Sequence, residues 1–216
     1  MSIYKDIFIV CYTMFLWGIS LKMYANEAFQ IADVPFYDQK QNKEQGWRAC
    51  NITSIAMMLD YFDISPKDKV ATRTPDYLFK KFGIKQDPFE LQAIFNMVAR
   101  DAGSTIRDVF YEHGTIAQLR ELASKGTPTI IHGWFTDSGH ILVVTGFDGE
   151  NYIVNDPYGK WLGEKWQKSS VAYDSSVSGQ GLRYEAKDFE LAINDNGKGN
   201  DLWLHTFINI SKNISK

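Results

Sequence analysis

Cysteine is scarce in this sequence. The 216-residue chain holds two, Cys11 and Cys50, which excludes a disulfide-stapled scaffold and any zinc site built from four thiolates. Neither charge is in large excess: 23 Lys and Arg stand against 26 Asp and Glu, a formal net charge of −3. Such a surface has no general attraction for phosphate backbones, so nucleic acid is not an expected partner. No internal repeat is present, and the length fits one domain of ordinary size. Apolar and aromatic residues are plentiful, at 44% and 14% of the chain. That is enough to bury a core and to exclude intrinsic disorder.

The longest apolar run, Ile7 to Ser20, has fourteen residues. As a helix it rises about 21 Å, short of a bilayer core of about 30 Å. Preceded by Lys5 and followed by Ala25 and Ala28, it reads as the hydrophobic region of a secretory signal. The expectation is that residues 1–25 are a signal peptide cut near 25–28, or else an N-terminal anchor. After cleavage no stable membrane insertion is expected, and the protein is periplasmic or secreted. Cleavage removes Cys11 and leaves Cys50 as a single thiol in an oxidising compartment, where an unpaired sulfur is a liability unless it is used.

The neighbourhood of Cys50 bears on that use. Ile52, Ile55, Ala56, Leu59 and Phe62 fall at helical spacing on one face, behind a loop-like Glu44–Arg48. Cys50 is therefore expected at the first turn of a buried helix. Free N–H groups and the positive end of the helix dipole stabilise a thiolate there and lower its pKa from about 8.5. A second helix starts at Asp87-Pro88-Phe89-Glu90, a cap followed by proline at the first helical position. A third spans Thr115 to Ser124. Strands follow at 128–135, 140–147, 151–155 and 202–210, with Asp148-Gly149 as a hairpin signal. The Ser- and Gly-rich stretch 168–181 reads as a loop. The fold class is α+β.

The hairpin brings a histidine toward a carboxylate. His140 opens one strand and Asp156 closes the next, equally far from residue 148. Opposite or diagonal residues on one face of an antiparallel pair lie about 5–8 Å apart. Both point the same way if residue 140 or 142 stands opposite 156. A three- or five-residue loop around Asp148-Gly149 gives that parity, and a strict two-residue turn does not. Cys, His and Asp supply the roles of nucleophilic amide cleavage: thiolate attack, proton transfer, and orientation of the imidazole. An oxyanion donor can come from the backbone at the helix start plus a side-chain amide. Gln39, Gln41, Asn42 and Gln45 all stand upstream of Cys50, and spacing alone does not choose among them.

The string Val34-Pro35-Phe36-Tyr37-Asp38-Gln39, followed by Trp47-Arg48-Ala49-Cys50-Asn51-Ile52-Thr53-Ser54-Ile55-Ala56-Met57-Met58-Leu59, resembles the VPYxSQ…CNxTSxAMxL pattern of C39-like cysteine peptidases. Gly126-Thr127-Pro128, Ser138-Gly139-His140 and Asn155-Asp156-Pro157-Tyr158-Gly159 are similar to that family's later block. The resemblance covers residues 33–160 and implies a papain-like fold over 30–216, a helix bearing the nucleophile packed on an antiparallel sheet bearing its base. By position it implies Cys50 as nucleophile, His140 as general base and acid, Asp156 as its orienter and Gln39 as oxyanion donor. Asn51 stands where many members have Gly, and Lys40-Gln41 replaces a more usual Arg-Asp. The best-known members process double-glycine leader peptides while fused to a transporter, a role the resemblance does not carry to this chain.

Other readings of the same residues are weaker. His132, inside an apolar strand, reads as a buried, hydrogen-bonded core histidine. His113 reads as a loop residue and His205 as a strand residue. A zinc site from His132, Asp137 and His140 lacks any helix-borne zinc signature, so no metal and no cofactor is expected. The Asn51-Ile52-Thr53 sequon lies on a helix beside the sulfur and is discounted. The expected function is an exported cysteine hydrolase cutting an amide bond in a peptide or protein. A peptidoglycan stem-peptide amidase or endopeptidase is the first alternative, and a non-catalytic peptide-binding module on the same scaffold is the second.

Overall fold

The computed structural model describes residues 29–70 and 72–213; the apolar run at 7–20 and the expected cleavage region at 25–28 lie outside the described residues. The elements in chain order are α1 (Cys50–Tyr61), α2 (Thr74–Phe82), α3 (Pro88–Asp101), β1 (Ile106–Gly114), α4 (Ile116–Ser124), β2 (Thr129–Gly133), β3 (His140–Phe147), β4 (Asn151–Asn155), β5 (Lys160–Trp161), α5 (Ser169–Ala172), β6 (Tyr173–Asp174), β7 (Leu182–Glu185), α6 (Ala186–Ala192) and β8 (Leu202–Asn209). Two 3-10 turns, Gln39–Gln41 and Gly46–Arg48, lead into α1.

Six strands make one antiparallel sheet in the order β1-β8-β2-β3-β4-β7, and β5 pairs with β6 separately. The sheet carries helices on both faces, which explains why its central strand β3 is buried at every residue. Alternate side chains of a strand point to opposite faces. Ile130, Ile141 and Val143 accordingly pack with Ile52, Ile55, Leu59 and Phe95 from α1 and α3. Their neighbours Ile131, Leu142 and Val144 pack with Leu119 of α4 and Phe189 of α6. Burying one such aliphatic side chain contributes about 1.5–3 kcal/mol. Helix α1 is buried from Asn51 through Leu59, so its polar residues need partners inside the core. Thr53 Oγ1 donates to the Ala49 carbonyl at 2.6 Å, and Asn42 Nδ2 donates to that same hydroxyl at 2.9 Å.

The α+β architecture expected from the sequence is the one observed, and the start signals act as read: Asp87 accepts from the Glu90 amide at 3.1 Å, with Pro88 at the first turn of α3. Several elements are additional. Helices α2 and α6 and strands β1 and β7 were not read from the sequence. His113 lies in strand β1, not in a loop. The 168–181 stretch holds a helical turn, α5, and the short strand β6.

The β3–β4 hairpin reaches the required parity by a different route from the one expected. Asp148 N–H donates to the Asn151 carbonyl at 3.1 Å, leaving a two-residue turn of Gly149 and Glu150, with Gly149 at φ +101°. Phe147 stands opposite Tyr152 and Gly146 opposite Ile153, whereas Val144 stands opposite Val154 and Val143 opposite Asn155. The register therefore slips by one residue at Thr145, a β-bulge whose hydroxyl donates to the Ile153 carbonyl at 3.1 Å. Continued by one residue, the shifted register sets Leu142 opposite Asp156, which returns His140 and Asp156 to one face.

Candidate active site

Cys50 is the first residue of α1 and is half-buried. Burial by itself pushes its thiol up. The charge of the His140 ring beside it, a hydrogen bond with that ring, and backbone hydrogen bonds from Ile141 and Asn51 outweigh the burial, and the pKa falls below the ordinary value. His140, at the start of β3, is 7% exposed. Burial alone pulls its pKa down, but the Asp156 carboxylate and the Cys50 thiolate push it up to about 10. Each charge therefore favours the other: the imidazolium favours the thiolate, and the thiolate and the carboxylate favour the imidazolium.

Asp156 is fully buried and all its acceptor capacity is used. Oδ1 stands 2.8 Å from His140 Nε2, which leaves Nδ1 of that ring for the thiol, and accepts from the Tyr158 amide at 3.0 Å. Oδ2 accepts from the hydroxyls of Tyr173 and Tyr184, each at 3.0 Å. Burial and the adjacent carboxylate push both phenols far above their usual value, so both remain protonated donors. The Tyr173 ring also packs edge-on against the His140 ring, centroids 5.2 Å apart. Strand β6 thus belongs to the site.

Neither tyrosine is evident from the sequence. The only available signal is that Tyr173 is the sole aromatic residue between Trp166 and Tyr184.

Gln39 is the one upstream amide that reaches the cleft. It is 1% exposed, and Nε2 donates one hydrogen to the Gly46 carbonyl at 2.7 Å, leaving the second N–H available beside Cys50. Its backbone N–H donates to Pro157 O at 2.9 Å, tying the turn to the residue after Asp156. Gln41 and Gln45 are exposed, and Asn42 is committed to Thr53. Gly46 fits only without a side chain, because a Cβ there meets Gln39 O at 2.5 Å.

Gln39, Cys50 and His140 line one open cleft with a cavity of about 630 Å³, with Asp156 behind the imidazole. His132, expected as a buried core residue, is half-buried and lines the same cleft. Asp137 is not brought together with His132 and His140 as ligands: among the described residues no group of three or more His, Cys, Asp or Glu side chains is placed to hold a metal ion. Asn51 of the sequon is 1% exposed, out of reach of a glycan.

Two expected outcomes follow from these contacts. In Asp156→Asn, the Tyr158 amide and His140 Nε2 both require an acceptor at Oδ1, so the new amide keeps its oxygen there and turns its NH2 toward the tyrosines. The imidazole tautomer survives and the charge is lost. Peptide turnover should fall within the about 10- to 10,000-fold range, toward its lower end, and the alkaline limb of the pH–rate profile should move down in pH. Gly179→Ala should be more disruptive to the fold. A Cβ at Gly179 meets the Asp156 carbonyl oxygen at 1.7 Å, where the Asp156 N–H donates to Gly179 O at 2.8 Å. Chemical denaturation should show a loss of about 2–5 kcal/mol.

No curated protein matches the chain. The solved structures similar to it include the following two. One is the crystal structure of a double glycine motif protease from an AMS/PCAT transporter in complex with the leader peptide, 18% identical over 82% of this chain and 94% of that one, with a TM-score of 0.46. The other is a crystal structure of a protein described as a C39-like peptidase from Bacillus anthracis, 17% identical over 85% of this chain and 98% of that one, with a TM-score of 0.49. The model of the Peptidase_C39 like family matches residues 31–186, a span that takes in Gln39, Cys50, His140 and Asp156, and the chain belongs to that family of cysteine peptidases.

Proposed function

We propose that this peptidase is an exported enzyme that cleaves an amide bond in a peptide or protein substrate through Cys50, His140 and Asp156. The observation that carries the reading is the 2.8 Å bond between His140 Nε2 and Asp156 Oδ1, set behind a thiol at a helix start in an open cleft. The Cys50 thiolate attacks the carbonyl carbon. Gln39 Nε2–H and the backbone N–H groups at the start of α1 stabilise the oxyanion. The imidazolium protonates the departing amine, leaving a thioester on Cys50. His140, now neutral, takes a proton from water, which attacks the thioester and releases the acid. Asp156 orients the ring throughout and stabilises it whenever it is charged. Export rests on the apolar run at 7–20 and its small-residue flank.

The test is to incubate the purified protein with a proteome-derived peptide library and, separately, with muropeptides, with Cys50→Ala alongside. Products are read by mass spectrometry. Cleavage of library peptides by the parent protein alone supports the reading. Cleavage of muropeptides only moves the substrate to the cell wall. Binding without cleavage of either makes the scaffold a binding module. Fractionation of cells producing the full chain tests export.

A further inference from the structure

The cleft holds a guanidinium that the proposed chemistry at Cys50 does not use. Arg48 ends the 3-10 turn Gly46–Arg48, two residues before the nucleophile, and its side chain lines the cleft. That turn has little freedom. The Gly46 carbonyl accepts from Gln39 Nε2 at 2.7 Å, and the Arg48 N–H donates to the Gln45 carbonyl at 3.0 Å. Ala49, the next residue, is fully buried. Two residues of chain span at most about 7 Å, so Arg48 is anchored close to Cys50 and to the oxyanion amide.

The side chain is held at its stem and open at its tip. Nε is buried, whereas Nη1 and Nη2 are not among the buried atoms without partners. Neither Nη bonds to a described residue, so both face the cleft that Arg48 lines. The guanidinium carbon stands 5.4 Å from the centroid of the Trp47 ring, a cation–π contact that orients the fork. Among the described residues no acidic side chain forms an ion pair with Arg48.

The other charged groups along the cleft are committed elsewhere. His140 has Nε2 taken by Asp156 at 2.8 Å and its ring against the Cys50 thiol. Asp201 accepts from the Asn196 amide at Oδ2, 2.6 Å away, and its Oδ1 is buried. Asp195 is exposed on the loop after α6, and neither carboxylate pairs with Arg48. A guanidinium is charged at every pH at which a protein stays folded, and its planar fork matches the two oxygens of a carboxylate.

We propose that Arg48 determines specificity: its Nη groups donate to a carboxylate of the peptide substrate placed within about two residues of the scissile bond. The inference rests on the peptidase reading of Cys50 and names a feature of its substrate. The carboxylate is that of an acidic side chain or that of the chain end, which present the same pair of oxygens. The corresponding amide keeps the shape but offers one acceptor and no charge, so a comparison of acid with amide isolates the contact.

The experiment takes one peptide that the protein cleaves from the library and places glutamate or glutamine at each position flanking the scissile bond. A second series ends the same peptide at successive positions after that bond, as the free acid or the amide. The readout is kcat/KM of the acid form over that of the amide form. At one position the parent protein should favour the acid by about tenfold or more. A preference in the first series assigns the carboxylate to a side chain, and one in the second assigns it to the chain end. In Arg48→Met, which keeps the stem without the charge, the ratio should lie within about twofold of one. Arg48→Lys, which keeps the charge without the fork, should give an intermediate ratio, and Arg48→Glu a ratio below one. A ratio near one at every position of both series overturns this inference alone, and the parent protein decides that even if the variants fold poorly. A preference unchanged in Arg48→Met belongs to His140 or the helix start and overturns it as well. A parent protein that cleaves no peptide overturns the peptidase reading and this inference with it.

Discussion

Cys50→Ala should bring peptide cleavage down by about 10⁵-fold or more, to the background rate. With no sulfur there is no acyl acceptor, and the His140–Asp156 pair has nothing to activate. The fold should persist. Cys50 is half-buried at the start of α1, and the helix is held by Ile52, Ile55 and Leu59, each at most 1% exposed. Thermal unfolding should shift by only a few degrees, the equivalent of about 1 kcal/mol. Full activity in this variant would remove Cys50 from the mechanism.

The sequence reading and the structure agree where chemistry is local. Helix α1 was legible because Ile52, Ile55, Ala56, Leu59 and Phe62 repeat at helical spacing, and a loop before them left Cys50 at its start. Asp87-Pro88 announced α3 for the same reason. Strand β1 escaped because its inward face mixes Phe110 with the fully buried Asp108, whose partner His205 lies nearly a hundred residues on. Helix α2 was missed because Tyr77 and Leu78, its buried apolar side chains beside Pro75, form a stripe too short to show a period. At the site, His140 and Asp156 could be paired from the hairpin alone. Tyr173 and Tyr184 could not, since what they contribute depends on where β6 and β7 dock and not on any local pattern. The bulge at Thr145 likewise has no compositional mark.

His140→Ala should have a comparable effect on cleavage, about 10⁴-fold or more, and a distinct effect on the thiol. In the parent protein the His140 charge offsets the burial of Cys50. Without the ring, burial acts against only the backbone hydrogen bonds, and the thiol pKa rises. The sign is definite. In the parent, the lowered Cys50 pKa leaves more thiolate at a given pH, so alkylation by iodoacetamide at pH 7 should be faster than that of an ordinary thiol and should fall on acidification. In the variant the rate at pH 7 should drop by about tenfold or more and climb steadily into the alkaline range. The parent's cleavage rate should also decline as pH rises past the His140 value of about 10, where the acid for the departing amine is lost. The space vacated beside the Phe135 and Tyr173 rings should cost about 1–3 kcal/mol in denaturant unfolding. A variant that alkylates as fast as the parent would mean that some other group sustains the thiolate.

The extra residue at Thr145 makes the orientation of Asp156 a matter of counting. One residue added to the Gly149–Glu150 turn and one removed at Thr145 would leave the dyad as it is, whereas either change alone would rotate the carboxylate to the far side of the sheet. Length in this hairpin is thus a shared quantity between its tip and its stem. Relatives can exchange a residue between the two without touching the imidazole, and a comparison that aligns only the tip will misplace the acid by one.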